Sequence, residues 1–221
     1  MQKLFFLKFV FSFLLFFGQL SWAQIEGLDK NPDFVNIGKY ENVIPDVRYA
    51  TTNNFTHQNL YGEYKSLYLH KTAAEKFKKA TELLKKEKPG WKFLVFDALR
   101  PRSVQQKLWD KVKGTDQQQY VADPTKGSVH NFGFALDLSL QDEKGQEVDM
   151  GTPYDSFEDK AQPKFEEKML KSGQLTQTQV NNRLVLRKIM TAAGFIQLPN
   201  EWWHYDALPN KEVRKKFKIV E

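Results

Sequence analysis

The stretch from Ser128 to Leu140 restricts the fold more than any other part of the chain. From Phe134 onward it alternates, with Phe134, Leu136, Leu138 and Leu140 on one face and Ala135, Asp137 and Ser139 on the other. That pattern predicts a strand with Asp137 turned away from the core. Were the whole stretch helical, His130 and Asp137 would stand roughly 10 Å apart along the axis, too far to share one ion at about 2 Å. Gly133 offers the way out. Lacking a Cβ, it lets the chain turn so that a loop histidine approaches a strand carboxylate, and the small Ala135 leaves room beside them.

A second segment, Glu201-Trp202-Trp203-His204-Tyr205, wedges an acid and a histidine among large aromatic rings. Such rings exclude water, and desolvation raises a carboxylate's pKa, which suits a general base that takes a proton from water and later returns it. A single histidine beside aromatics is more often a satisfied core residue than a ligand. It is the pairing of the two segments that points to a metal. The chain has no cysteine, so its ligands are limited to imidazole and carboxylate. Three of these leave one position open, as at a catalytic zinc whose water has its pKa lowered to about 7.

Residues 1–23 carry Lys3 and Lys8 around an apolar Leu- and Phe-rich run and end in Ser21-Trp22-Ala23, a small-x-small cleavage pattern. They are expected to be a signal peptide. The clean apolar run from Phe9 to Phe17 is too short to cross a bilayer, so stable membrane insertion is not expected after cleavage. Removal leaves 24–221, or 198 residues, and takes the formal charge from +6 to +4. That mild excess suits an acidic polymer such as a cell wall, and no basic run interleaved with aromatics supports nucleic-acid binding. The expected location is periplasmic or secreted.

With neither repeat nor linker, 24–221 reads as one domain large enough to need no disulfide. An amphipathic helix is predicted over 72–87, with Ala73, Phe77, Ala80, Leu83 and Leu84 inward and Pro89-Gly90 as its stop. A buried strand follows over 91–96. A second helix starts at Ser103 as its cap and turns Val104, Leu108 and Val112 inward. A third spans 178–193, with Val180, Leu184, Ile189 and Met190 on its apolar side and Gly194 as its left-handed stop. This order of elements predicts an α+β fold.

The stretches Asp46-Val47-Arg48-Tyr49-Ala50-Thr51, Asp97-Ala98-Leu99-Arg100-Pro101, Ser128-x-His130-x-x-Gly133-x-Ala135-x-Asp137 and Glu201-Trp202-Trp203-His204 resemble the ordered motifs of the D-alanyl-D-alanine dipeptidases. These are zinc enzymes related to the vancomycin-resistance dipeptidases. The third pattern is shared with zinc D-Ala-D-Ala carboxypeptidases and hedgehog-type domains, while the Tyr49 and Arg100 motifs narrow it. The resemblance implies one zinc ion on His130, Asp137 and His204, Glu201 as the base and Arg100 as the stabiliser of the oxyanion. It also implies that Asp155 and Tyr49 hold the substrate's free ammonium and that Ser128 is a further polar contact. Read without the family, Arg100 serves as a surface salt-bridge residue and Asp155 equally as a turn residue in a polar loop.

The expectation is thus a single α+β domain in which a small, mostly antiparallel sheet carries the zinc site and helices pack outside it. The expected substrate is D-Ala-D-Ala or a similar D-terminal dipeptide, with peptidoglycan fragments as further partners. Two alternatives stand beside it: a D,D-carboxypeptidase or L,D-endopeptidase acting on longer stem peptides, and a zinc-bearing binding module, against which Glu201 argues. The polar insert over 113–126 is expected to shape the mouth of the site.

Overall fold

The computed structural model describes residues 27–221, and the signal peptide expected over 1–23 lies outside them. The elements in chain order are β1 (Phe34–Asn36), β2 (Val43–Pro45), β3 (Tyr68–His70), α1 (Lys71–Glu87), β4 (Lys92–Asp97), α2 (Arg102–Val112), β5 (Ala135–Gln141), α3 (Glu166–Lys171), α4 (Gln177–Ala192), β6 (Ile196–Gln197), β7 (His204–Asp206) and α5 (Asn210–Lys216). The main sheet has the order β2-β4-β5-β7-β6, and β1 and β3 pair separately. Only the β2–β4 pair of the main sheet is parallel, so the sheet is mostly antiparallel and the fold is α+β.

Alternation along β5 sets the two layers. Phe93 and Val95 of β4 stand beside Leu140 and Leu138, and this face meets α1 through Phe77, whose ring lies 5.2 Å from that of Phe93. Phe77, Phe93, Val95, Leu136, Leu138 and Leu140 are fully buried. Burial of each such side chain contributes about 1.5–3 kcal/mol. The opposite face of β5 is also closed. Asp137 points away from Leu136 and Leu138 as the alternation requires, yet it is only 3% exposed, because Tyr154 reaches it from a long loop.

The helices follow the predicted periodicity with two corrections. Ser103 is not the cap of α2; Pro101 takes that place and Ser103 falls inside the first turn, where proline's missing N–H costs the helix nothing. In α4 the buried stripe runs through Val180, Arg183, Leu186, Ile189 and Met190, which leaves Leu184, one position off the stripe, 45% exposed. The true start of α4 is a capping box in which Thr176 accepts from the Gln179 N–H and Gln179 reaches back. Gly194, at φ +95°, ends the turn as expected. Among the described residues no helix is long and apolar enough to cross a membrane.

Candidate metal centre

The sheet register builds the site. Asp97 of β4 stands opposite Asp137 of β5, and Asp137 stands opposite His204 of β7, so three chemically active residues form one row across three strands. Residues directly opposite share a face. A register shift between Val95 and Asp97 turns Asp97 into that row. His130 joins from outside the sheet. It lies on a 3-10 turn over Val129–Phe132 that ends at Gly133, with φ +73°. A Cβ at Gly133 would meet the His70 nitrogen at 2.9 Å and a Phe34 ring carbon at 3.0 Å, so the close approach requires glycine there. The turn is tied to the end of β4, since Arg100 N–H donates to the His130 carbonyl at 3.1 Å and the Asn131 amide donates to the Arg100 carbonyl at 2.6 Å.

His130 Nε2, His204 Nδ1 and Asp137 Oδ1 converge, at 3.2 Å between the two nitrogens and 3.3 and 3.0 Å from each to the oxygen. Two ligands each about 2.0–2.1 Å from a tetrahedral ion stand roughly 3.3 Å apart, so this triangle fits a zinc-sized cation with one position left over. The ring tautomers agree with that reading. His130 Nδ1 donates to the Ala98 carbonyl at 2.6 Å, and His204 Nε2 donates to Asp206 Oδ1 at 2.9 Å. Each remaining ring nitrogen therefore turns a lone pair toward the Asp137 oxygen, and three such donors need a positive charge between them. The electrostatics without a cation show the same need. Burial opposes ionisation of Asp137, but the two histidines outweigh it and hold its carboxyl well below the usual range. Burial likewise opposes a charged His204, but Asp206 and Asp137 outweigh it, so a proton is drawn to where a cation fits.

The other expected residues surround this triangle. Glu201 Oε2 lies 3.8 Å from His204 Nδ1, and desolvation raises its pKa to about 7. Arg100 is buried; its Nε donates to Asp97 at 2.8 Å, one terminal nitrogen donates to Gln105 at 2.9 Å, and the other lies 2.7 Å from Asp97 and 3.5 Å from Asp137 Oδ2. It is no surface salt-bridge arginine, being 7% exposed with its guanidinium 5.0 Å from the Tyr49 ring centre. Tyr49 donates to Asp155 Oδ1 at 3.1 Å, and the Phe55 N–H donates to Oδ2 at 3.3 Å. Desolvation, then the nearby charge of Asp137, raises Asp155 to about 8. Asp155 is also a turn residue with φ +61°, so its two readings are compatible. Ser128 caps the His130 turn through its hydroxyl and lies half-buried there.

The structure adds residues to which sequence reasoning gave no role. Asp97, 1% exposed, accepts from Tyr61 at 2.7 Å and neutralises Arg100. Tyr154 donates to Asp137 Oδ2 at 3.0 Å, leaving Oδ1 for the triangle. Asp206 and the Ala98 carbonyl orient the two imidazoles. Of these, only Asp206 had a local signal, because it follows His204 by two residues and so shares its face of a strand.

Comparison with known proteins agrees with the motifs. The family model described as D-ala-D-ala dipeptidase matches residues 35–220. The D-alanyl-D-alanine dipeptidase of Escherichia coli K12 is 33% identical over 161 residues, covering 73% of this chain and 77% of its own. That of Enterococcus faecium is 27% identical over 180 residues, covering 72% and 83%. A solved LD-carboxypeptidase, LdcB, whose structure concerns peptidoglycan recognition, aligns over 83% of this chain and 72% of its own at 18% identity and a TM-score of 0.44. The family match spans every strand of the main sheet and all four residues of the triangle and its neighbouring acid, and on it the chain belongs to the D-ala-D-ala dipeptidase family and is a hydrolase.

Proposed function

We propose that this protein is a zinc-dependent dipeptidase that hydrolyses free D-Ala-D-Ala or a similar D-terminal dipeptide derived from cell-wall peptides. The observation that carries this reading is the convergence of His130, Asp137 and His204 within 3.3 Å of one another, with the Glu201 carboxylate 3.8 Å from His204. Zinc held by these three residues supplies a Lewis acid that polarises a carbonyl and lowers the pKa of water to about 7. Glu201 accepts a proton from the attacking water and delivers it to the amine that leaves as the C–N bond breaks. Arg100 keeps an N–H beyond those given to Asp97, Gln105 and Asp137, and this donor meets the negative charge that develops on the carbonyl oxygen. Its orientation costs nothing at the moment of reaction, because Asp97 and Gln105 already hold it.

Asp155 supports the choice of a free dipeptide. Its side chain is half-buried and its hydrogen-bond donors, the Tyr49 hydroxyl and the Phe55 N–H, are both neutral. A substrate ammonium is the cation that lets such an acid ionise. Ser128 is assigned a capping role first and a substrate contact second. Cleavage of residues 1–23 would deliver the enzyme outside the cytoplasm, where dipeptides and peptidoglycan fragments are met.

The test is hydrolysis by the purified chain 24–221, with zinc and after chelation, of D-Ala-D-Ala, acyl-blocked D-Ala-D-Ala and a stem pentapeptide. Zinc-dependent cleavage of the free dipeptide alone is expected. Cleavage of only the longer substrates would move the enzyme to the carboxypeptidase or endopeptidase reading and withdraw the roles of Asp155 and Tyr49.

A further inference from the structure

Beside Asp155 three aromatic rings from three separate segments pack in series, one pair edge to face and the other tilted. The Phe55 and Phe157 rings are 5.2 Å apart at 77°, and the Phe157 and Tyr120 rings are 5.4 Å apart at 50°. All three are half-buried, whereas Tyr49, on the other side of the Asp155 carboxylate, is 2% exposed. The Phe55 side of the carboxylate is therefore its more exposed side, and the ring series stands on that side. Its outer member belongs to the insert over 113–126, which is fixed at two points. Gln162, itself 3% exposed, donates to the Tyr120 hydroxyl at 3.1 Å, and Gln105, the partner of Arg100, donates to the Ala122 carbonyl at 2.8 Å. The inner member is tied to the acid directly, since Phe55 N–H donates to Asp155 and Phe157 follows it by two residues.

We propose that the Phe55–Phe157–Tyr120 series is a length filter: it closes the space beyond Asp155, so that a substrate ending in a free ammonium fits and one continued at that nitrogen does not. This rests on the reading of Asp155 as the ammonium acceptor. Rejection of longer chains then has two separable parts. Asp155 selects for positive charge, and the rings exclude bulk. An N-acyl group fails on both counts, whereas an N-alkyl group keeps the charge and fails only on bulk.

The experiment compares D-Ala-D-Ala, N-propyl-D-Ala-D-Ala, whose secondary ammonium keeps its charge, and N-acetyl-D-Ala-D-Ala with the zinc-loaded wild type, Phe157→Ala, Tyr120→Ala and Tyr120→Phe. Wild type should cleave the free dipeptide and reject the other two. In both alanine variants the kcat/KM of the N-propyl substrate relative to the free dipeptide should rise by roughly tenfold or more. The N-acetyl substrate should stay poor, because it offers Asp155 no charge. Tyr120→Phe keeps the ring and should keep the wild-type ratio. Tyr120→Ala lies on the surface insert, so it tests the filter even if Phe157→Ala does not fold. An unchanged ratio in a folded Tyr120→Ala overturns the filter, while a wild type that fails on the free dipeptide overturns the dipeptidase reading instead.

Discussion

His204 and Asp206 lie two residues apart on one face of β7, and the imidazole Nε2 donates to the carboxylate at 2.9 Å. This bond selects the tautomer that leaves Nδ1 free toward Asp137 and makes the ring a better electron-pair donor. Asp206→Ala should therefore weaken zinc binding by roughly 10–100-fold, as outer partners of ligating histidines do. Competition against a chelator of known affinity measures it, and an unchanged zinc affinity would remove the orienting role of Asp206.

Glu201 is close to the triangle without being one of its three converging atoms, being 3.8 Å from His204 Nδ1. Glu201→Gln keeps the size and one acceptor oxygen but cannot take up a proton. The variant should hold zinc at one per chain and lose about 10²–10⁴ in kcat. Metal analysis beside steady-state kinetics separates the two effects. Loss of zinc would make Glu201 a ligand, and a kcat within tenfold of wild type would remove it as the base.

How much of this site the sequence reveals depends on how far each signal travels. The alternation from Phe134 to Leu140, the turn at Gly133 and the acid among the tryptophans are local, so the convergence of His130, Asp137 and His204 and the nearness of Glu201 were legible. Asp97 was legible only as part of a motif. Its place opposite Asp137 arises from a register shift between strands far apart in sequence, and no periodicity encodes that. Tyr154 arrives from a loop with no repeating pattern, yet it decides which Asp137 oxygen remains free. It also buries a face that alternation alone assigns to the outside. Ser103 and Leu184 were misread for a simpler reason. The helix near Ser103 starts two residues earlier than a serine cap implies, and Leu184 stands one position from the buried Arg183, whose place on the inner face apolar periodicity does not signal.

Asp97 is the counter-charge of Arg100, with Nε at 2.8 Å and a terminal nitrogen at 2.7 Å, and both side chains are almost fully buried. Asp97→Ala strands the guanidinium, whose remaining ion-pair partner among the described residues is Asp137 at 3.5 Å. The expected cost is about 3–5 kcal/mol of folding stability, with weaker zinc binding because Arg100 then competes for Asp137. Asp97→Asn keeps the acceptor oxygen and should cost less. Urea denaturation of the three proteins checks the order, and equal midpoints would show that Arg100 finds compensation elsewhere.

Asp155 makes stability depend on pH in a direction opposite to that of most carboxylates. In the metal-free protein, desolvation first and the charge of Asp137 second raise its pKa from 3.8 to about 8. The folded state thus holds this proton more tightly than the unfolded chain, so the group's contribution falls as pH rises from about 4 and levels off above about 8. One pKa unit corresponds to about 1.36 kcal/mol, so even half of this shift removes about 3 kcal/mol by pH 8. Asp155→Asn does not titrate. It should match the wild type near pH 4 and exceed it by about 2–3 kcal/mol near pH 8, measured by urea denaturation of the metal-free proteins at both values. Parallel curves for the two proteins would mean that Asp155 ionises in the folded state at no cost, and its need for a substrate ammonium would then be withdrawn.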